Sequence, residues 1–269
     1  FDEVNFVGNI GLYPLLVGIF FKKDKYITIA DGGLFSLRKN RLFIKKLTIF
    51  LYYFFDEFRV YTNYQKKLLL TANKKYEKKI KIIKPIVPLI NINSTPSHRE
   101  TFSVLYMGYI NEAKGADVLV SCIKSLIPKY PNIVFTIALS GQKNDRSIYN
   151  DLLNVKNIYN KNIVIKEKVN PYQELMASDL YYYCFKRHSG TNAFPLSLYE
   201  SLQVSTPIIG PNLDGVREYF HESLLVSPYD KDSIIKKIEK IYNNRIIDRE
   251  VMRKNLIDLD GRVRKIDFL

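Results

Sequence analysis

Leu180-Tyr-Tyr-Tyr-Cys-Phe-Lys-Arg-His-Ser-Gly-Thr-Asn-Ala-Phe-Pro-Leu-Ser-Leu-Tyr-Glu200 passes from an apolar strand, through a polar turn, into a helix. Pro195 suits a first helical turn, where no amide hydrogen is needed. Glu200 then falls about one and a half turns inside. The same rhythm repeats on both sides. Upstream, the pattern predicts strands at Phe102–Met107, Ile133–Leu139 and Asn162–Ile165, and helices at Asp117–Tyr130 and Tyr172–Ala177. Downstream it predicts helices at Leu196–Leu202 and Ser233–Tyr242 and strands at Pro207–Ile209 and Leu224–Val226. Strands alternating with helices at this spacing imply parallel sheets and an α/β class. Ligands of such sheets bind at the carboxyl ends of strands, so the informative loops follow Met107, Leu139, Ile165, Cys184 and Ile209.

The front of the chain carries a shorter version of the pattern. Tyr26–Ala30 reads as a strand ending at Asp31-Gly32-Gly33, with a helix from about Arg41. Phe58–Thr62 and Lys79–Ile83 read as strands around a Lys-rich helix. Pro85, Pro88 and the polar run Asn91–Glu100 mark a linker. The expected organisation is a partial domain at 1–90, a linker at 91–100, a domain at 101–244 and a helical tail at 245–269. The 269 residues suffice for a self-supporting core. Apolar content of 46% and charged content of 25% argue against disorder and coiled coil. Val4–Phe21 is uncharged but contains Pro14 and three glycines, so we read it as buried strand, turn and helix rather than a membrane span. The chain starts at Phe1 with no basic leader before that run, so no signal peptide is expected. Cys122 and Cys184 lie in apolar runs and read as small core residues in a reducing compartment. His98, His188 and His221 are scattered, and no metal site is expected.

Charge is uneven. Of the net +14, residues 22–84 hold 17 Lys or Arg against 5 Asp or Glu. Such asymmetry points to an anionic partner. Leu42–Phe55 adds an apolar, aromatic run with Lys45 and Lys46 at one edge. It fits a buried helix, or a helix against anionic lipid headgroups. Nucleic acid is the weaker candidate, because no recognisable DNA- or RNA-binding motif is present.

The chemistry concentrates in the rear domain. Gly108 ends a strand, and Lys114-Gly115 precedes a helix, a place where a cation and backbone amides can hold a diphosphate. Further on come Ser178-Asp179, Phe194-Pro195-Leu196, Glu200, Thr206-Pro207 and Gly215-Val-Arg-Glu218. In order and spacing this set, spanning about Phe102 to Asn243, resembles glycosyltransferase family 4, the group 1 glycosyltransferases. These are retaining enzymes of the GT-B fold, with two Rossmann-like parallel-sheet domains. The resemblance implies that Lys114 binds the donor diphosphate and Glu200 the nucleotide ribose. Gly108, Tyr109, Arg187 and the backbone around Phe194, Pro195 and Leu196 would complete the phosphate and sugar contacts. The turn at Lys168 and Val169 would line the base. It implies no metal and no separate cofactor, the donor being a UDP-, GDP- or similar nucleotide sugar. It also implies transfer to a glycan or polyprenyl-linked acceptor in cell-surface polysaccharide or glycoconjugate synthesis, in the cytoplasm at the inner face of the membrane.

Three departures qualify the match. The first glutamate of the family's pair falls on Asn192. The family's diphosphate arginine falls on Tyr109, a neutral donor in place of a charged fork, with Lys186 or Arg187 as stand-ins. The front domain looks short, like the rear part of an acceptor domain. Asp258-Leu-Asp260 is set aside as part of the polar tail. A weakened GT-B-like protein that binds a glycan, membrane or partner enzyme is therefore the alternative, with a sugar-nucleotide epimerase behind it.

Overall fold

A computed structural model of the chain describes residues 3–7, 24–29, 50, 52–88, 100–141, 145–188, 194–244 and 249–266. Two compact units emerge. The first comprises Phe1–Ile86, Arg187–Pro195 and Asp214–Tyr219, and the second comprises Val87–Lys186, Leu196–Leu213 and Phe220–Leu269. The expected helix from Arg41, the turn at Asp31-Gly33 and most of the linker lie outside the described residues.

In the first unit, β1 (Glu3–Val7), β2 (Asp24–Ile29), β3 (Glu57–Val60) and β4 (Ile80–Ile82) form one parallel sheet in chain order. Ile27, Ile29, Phe58 and Val60 are buried, as is Tyr76. Helix α1 (Asn63–Ala72) starts at a capping box: Thr62 Oγ1 accepts from the Gln65 amide, and the Gln65 side chain accepts from the Thr62 amide. The Glu218 carboxylate adds a second cap. Its Oε2 accepts from the Asn63 amide at 2.7 Å, and its Oε1 accepts from the Tyr64 amide at 2.7 Å. Free amides at a helix start attract an acidic group both as acceptor and as negative charge. The Gly-x-x-Glu turn found in the sequence thus ends on a helix cap, and Gly215, at φ +83°, makes the turn.

In the second unit, β6 (Phe102–Gly108), β7 (Ile133–Leu139), β8 (Ile163–Glu167), β9 (Leu180–Tyr182), β10 (Ile208–Pro211) and β11 (Leu225–Val226) build a six-stranded parallel sheet, in the order β11-β10-β9-β6-β7-β8. The chain goes one way from β6 to β8 and the other way from β9 to β11, so its direction of progress reverses between β6 and β9. The helices are α2 (Ala116–Leu126), α3 (Arg146–Ile158), α4 (Pro171–Met176), α5 (Leu196–Gln203), α6 (Lys231–Asn244) and α7 (Arg249–Asp260). Ile234, Ile238 and Ile241 give α6 one apolar stripe, which joins Leu119 and Ile123 of α2 and Phe135 and Ile137 of β7 in the main core. Cys122 and Cys184 are free, buried thiols in this core, and burial pushes Cys122 up to about 12. The tail also holds a strand that the sequence did not announce, β12 (Arg264–Ile266), paired with β5 (Ile86–Pro88).

Replacing Glu218 with alanine removes the second cap from α1. Urea unfolding should show a loss of about 1–2 kcal/mol, while Glu218→Gln should retain part of it.

Candidate functional site

The site of interest lies at the carboxyl ends of the strands of the second unit. β6 ends at Gly108 (φ +148°). The Tyr106 hydroxyl donates to the Tyr109 carbonyl at 2.6 Å, pinning the loop that follows. Asn111 Oδ1 then accepts from the Lys114 amide at 2.9 Å and caps a short 3-10 turn, Glu112–Lys114. Gly115, at φ +72°, joins that turn to α2. A Cβ at Gly115 would stand 2.1 Å from the Cys184 carbonyl oxygen, so no side chain fits there. The end of the β6 loop is thereby pressed against the end of β9. Lys186 seals the contact: its amide donates to the Ala113 carbonyl at 2.9 Å, and its buried ammonium pairs with Asp117 Oδ2 at 2.5 Å. The Tyr229 hydroxyl donates to the Lys186 carbonyl at 2.8 Å.

This seam is the place where the strand order reverses, the usual ligand position in open parallel sheets. Lys114 projects from it half-buried, and its ammonium donates to the Tyr183 hydroxyl at 3.4 Å. Burial pushes the Tyr183 phenol up to about 12, so it stays neutral and does not cancel the lysine charge. Lys186 is a different case. Its ammonium is committed to Asp117, so it serves as a structural cation rather than a stand-in for the missing arginine.

Beside the seam, the ends of β6, β7 and β8 enclose an open cleft of about 690 Å³. Its walls include Met107, Ser140, Gly141, Arg146, Tyr149, Glu167, Lys168 and Val169. Lys168 holds a left-handed conformation, φ +52°, which is uncommon for a residue with a side chain. The Lys168–Val169 turn runs into Asn170, whose Oδ1 accepts from the Tyr172 amide at 3.0 Å and caps α4. Across the rim, the Tyr172 hydroxyl donates to Glu200 Oε1 at 3.4 Å. Burial pushes the Glu200 carboxyl above the usual carboxylate range, and the Tyr172 hydrogen bond pulls it partly back. Tyr109, half-buried, packs its ring against Gly141, where a Cβ would come within 3.2 Å of Cε1.

The sequence-derived residues therefore fall into three groups. Gly108, Tyr109, Lys114, Lys168, Val169, Leu196 and Glu200 belong to the second unit. Arg187, Phe194 and Pro195 belong to the first, where Phe194 is 2% exposed with its ring 4.7 Å from that of Tyr219. Asn192 lies outside the described residues. Tyr172, Tyr183, Arg146 and Tyr149 were not singled out from sequence. Nothing local marks them, because their places depend on which strand ends become neighbours. Among the described residues, no cluster of three or more His, Cys, Asp or Glu could hold a metal ion. Among them, too, no helix is long and apolar enough to cross a membrane.

A lysine-bearing seam beside an open cleft, at the carboxyl ends of a parallel sheet, is the usual ligand position of open α/β folds. The family follows from direct comparison: residues 90–258 match the group 1 glycosyl transferases, and the chain belongs to that family. One curated relative is an uncharacterized glycosyltransferase of Methanocaldococcus jannaschii, MJ1059, 23% identical over 93% of this chain. The chain spans 65% of that relative's length. Among solved structures, Anabaena HepE in complex with UDP and glucose superimposes with a TM-score of 0.79 at 11% identity, over 98% of this chain and 74% of that one. The pneumococcal O-GlcNAc transferase GtfA, in complex with UDP and GlcNAc, gives 0.66 at 16% identity, over 90% of this chain and 50% of that one. At such identities the likeness is one of fold, the GT-B arrangement of parallel sheets.

Two outcomes follow from this geometry. Gly115→Ala forces a Cβ onto a backbone oxygen and strains a left-handed φ, so urea unfolding should show a loss above about 1–3 kcal/mol. Glu200 binds its proton more tightly folded than unfolded. Stability should therefore fall as pH rises from the ordinary carboxylate value through the raised one. In Glu200→Gln that slope should disappear from unfolding midpoints measured stepwise across the interval.

Proposed function

We propose that the chain acts as a retaining glycosyltransferase that moves a sugar from a nucleotide diphosphate donor to a glycan or polyprenyl-linked acceptor. The observation that carries this reading is the fixed position of Lys114, set by the close approach of Gly115 to the Cys184 carbonyl. In this reading the base enters the cleft against the Lys168–Val169 turn, and Glu200 accepts from the ribose hydroxyls. The Leu196 amide and the Lys114 ammonium meet the diphosphate. As the bond between the anomeric carbon and the diphosphate oxygen breaks, negative charge builds on the leaving group, and fixed donors stabilise it. The acceptor oxygen bonds to the anomeric carbon on the same face, and its proton passes to the departing diphosphate. Asn192 takes the place of an acidic residue and offers hydrogen bonds without charge. The basic stretch 22–84 suits an acceptor presented on the inner face of an anionic membrane. The complexes of HepE with UDP and glucose and of GtfA with UDP and GlcNAc favour a uridine nucleotide as the first candidate.

A second reading is a weakened member that binds without transfer. It is favoured by Tyr109 at the arginine position together with the commitment of Lys186 to Asp117. Calorimetric titration with UDP and GDP tests both. One nucleotide should bind, and Lys114→Ala and Glu200→Ala should each weaken it about 10–100-fold, the worth of a hydrogen bond involving a charged group. Binding to neither nucleotide by the folded chain would sink the donor-site reading. Binding without release of sugar from the matching nucleotide sugar would select the second.

A further inference from the structure

Three side chains that donor binding leaves unused form one exposed aromatic cluster in the first unit. Phe50, Tyr53 and Phe54 are 59%, 55% and 39% exposed. Phe50 and Phe54 meet edge to face at 5.4 Å between centroids, and Tyr53 and Phe54 at 6.3 Å. Their segment leads into β3 and is tied to the starts of the neighbouring strands. The Asp56 amide donates to the Lys25 carbonyl at 2.9 Å, and the Lys25 amide donates to Asp56 Oδ2 at 2.8 Å. Lys79, the residue before β4, donates its ammonium to the Tyr53 and Phe55 carbonyls at 2.8 and 2.7 Å, and that ammonium also sits 5.0 Å over the Tyr53 ring. Since β2, β3 and β4 are parallel, their starts share one edge of the sheet. The aromatic cluster, Lys25 and Lys79 all stand at this amino edge, opposite the carboxyl edge where ligands of open sheets enter.

We propose that this amino edge docks the chain onto an anionic phospholipid surface, the three rings entering the headgroup layer and the lysines meeting its phosphates. Contiguous exposed aromatics are unfavourable in water and mark an interaction surface. Aromatic side chains joined to lysines match the boundary between headgroup and hydrocarbon. The charge fits the same occupant: Lys74, Lys75 and Lys78 are exposed in the turn before β4 and join Lys25 and Lys79, outnumbering Asp24, Asp56 and Glu77, while Glu57 is held by Arg59 and Lys81. A protein partner fits less well, since interface centres are depleted of lysine. Single-stranded nucleic acid fits less well too, because these rings pack on one another instead of standing apart for bases to stack on. Docking by the amino edge leaves the carboxyl edge of the same sheet open. The inference deepens the membrane clause of the proposed function by naming the surface that docks, and it stands apart from the donor site, so a failed nucleotide titration leaves it intact.

The chain contains no tryptophan. Phe54→Trp in the full chain therefore supplies a single fluorophore inside the cluster, and Tyr53→Trp is a second variant should the first fail to fold. With phosphatidylcholine vesicles containing phosphatidylglycerol, its emission should shift to the blue and be quenched by lipids brominated near the headgroup. Pure phosphatidylcholine should give little shift, and raised salt should reverse it. Adding Lys75→Glu and Lys78→Glu should cut vesicle affinity at least tenfold. Ile158→Trp, at a 72% exposed position in the second unit, should not shift. The proposal is overturned by an unshifted Phe54→Trp in anionic vesicles, or by an equal shift at Ile158→Trp. A shift with duplex DNA but not vesicles would assign the edge to nucleic acid instead. A shift with protein concentration alone would assign it to a second copy.

Discussion

Everything at the site depends on one steric constraint: the backbone of Gly115 lies against the carbonyl of Cys184, with no room for a Cβ between them. β6 and β9 are neighbours in space although β7, β8 and three helices lie between them in sequence. The chain leaving β6 must turn into α2 within the space that the end of β9 allows. Glycine meets both demands, a left-handed φ and no side chain. Given that contact, Lys114 has one place to go. Tyr183 meets it from the β9 side, and Lys186 locks the loop through Ala113 and Asp117.

The two lysines show how packing divides identical chemistry into different roles. Lys186 is buried and matched to a carboxylate, and losing Asp117 would strand its ammonium in low dielectric. Lys114 is half-buried and donates to the neutral phenol of Tyr183. Glu200 shows the complementary case. A carboxylate held partly out of water, with one tyrosine hydroxyl as donor, keeps accepting capacity for further hydroxyl groups.

Most strands and the parallel α/β class were legible in the sequence, because buried strands need continuous apolar runs. Ile133–Leu139 matches its predicted bounds, and Phe102, Leu180 and Leu196 begin their elements as expected. Helix α3 escaped notice. Its run Arg146–Ile158 contains three weak helix formers, Asn150, Asn154 and Asn157, and only Leu152 and Val155 are fully buried on it, too few to display a stripe. That omission also hid Arg146 and Tyr149, which α3 brings to the cleft. The tail strand β12 is three residues long and finds its partner near residue 87, a pairing that no local pattern encodes.

The sequence by itself determined the alternation of strands and helices, the concentration of positive charge before residue 85 and the residue types able to meet a diphosphate. These are properties of local spacing and composition, and they survive without coordinates. Only the tertiary structure decided that Lys186 pairs with Asp117, and that Glu218 caps a helix. The same holds for the placing of three exposed rings at the amino edge of a sheet. Those outcomes turn on contacts between residues far apart in the chain, such as Lys186 with Asp117 and Asn63 with Glu218. Strand order and close packing, not neighbouring sequence, select them.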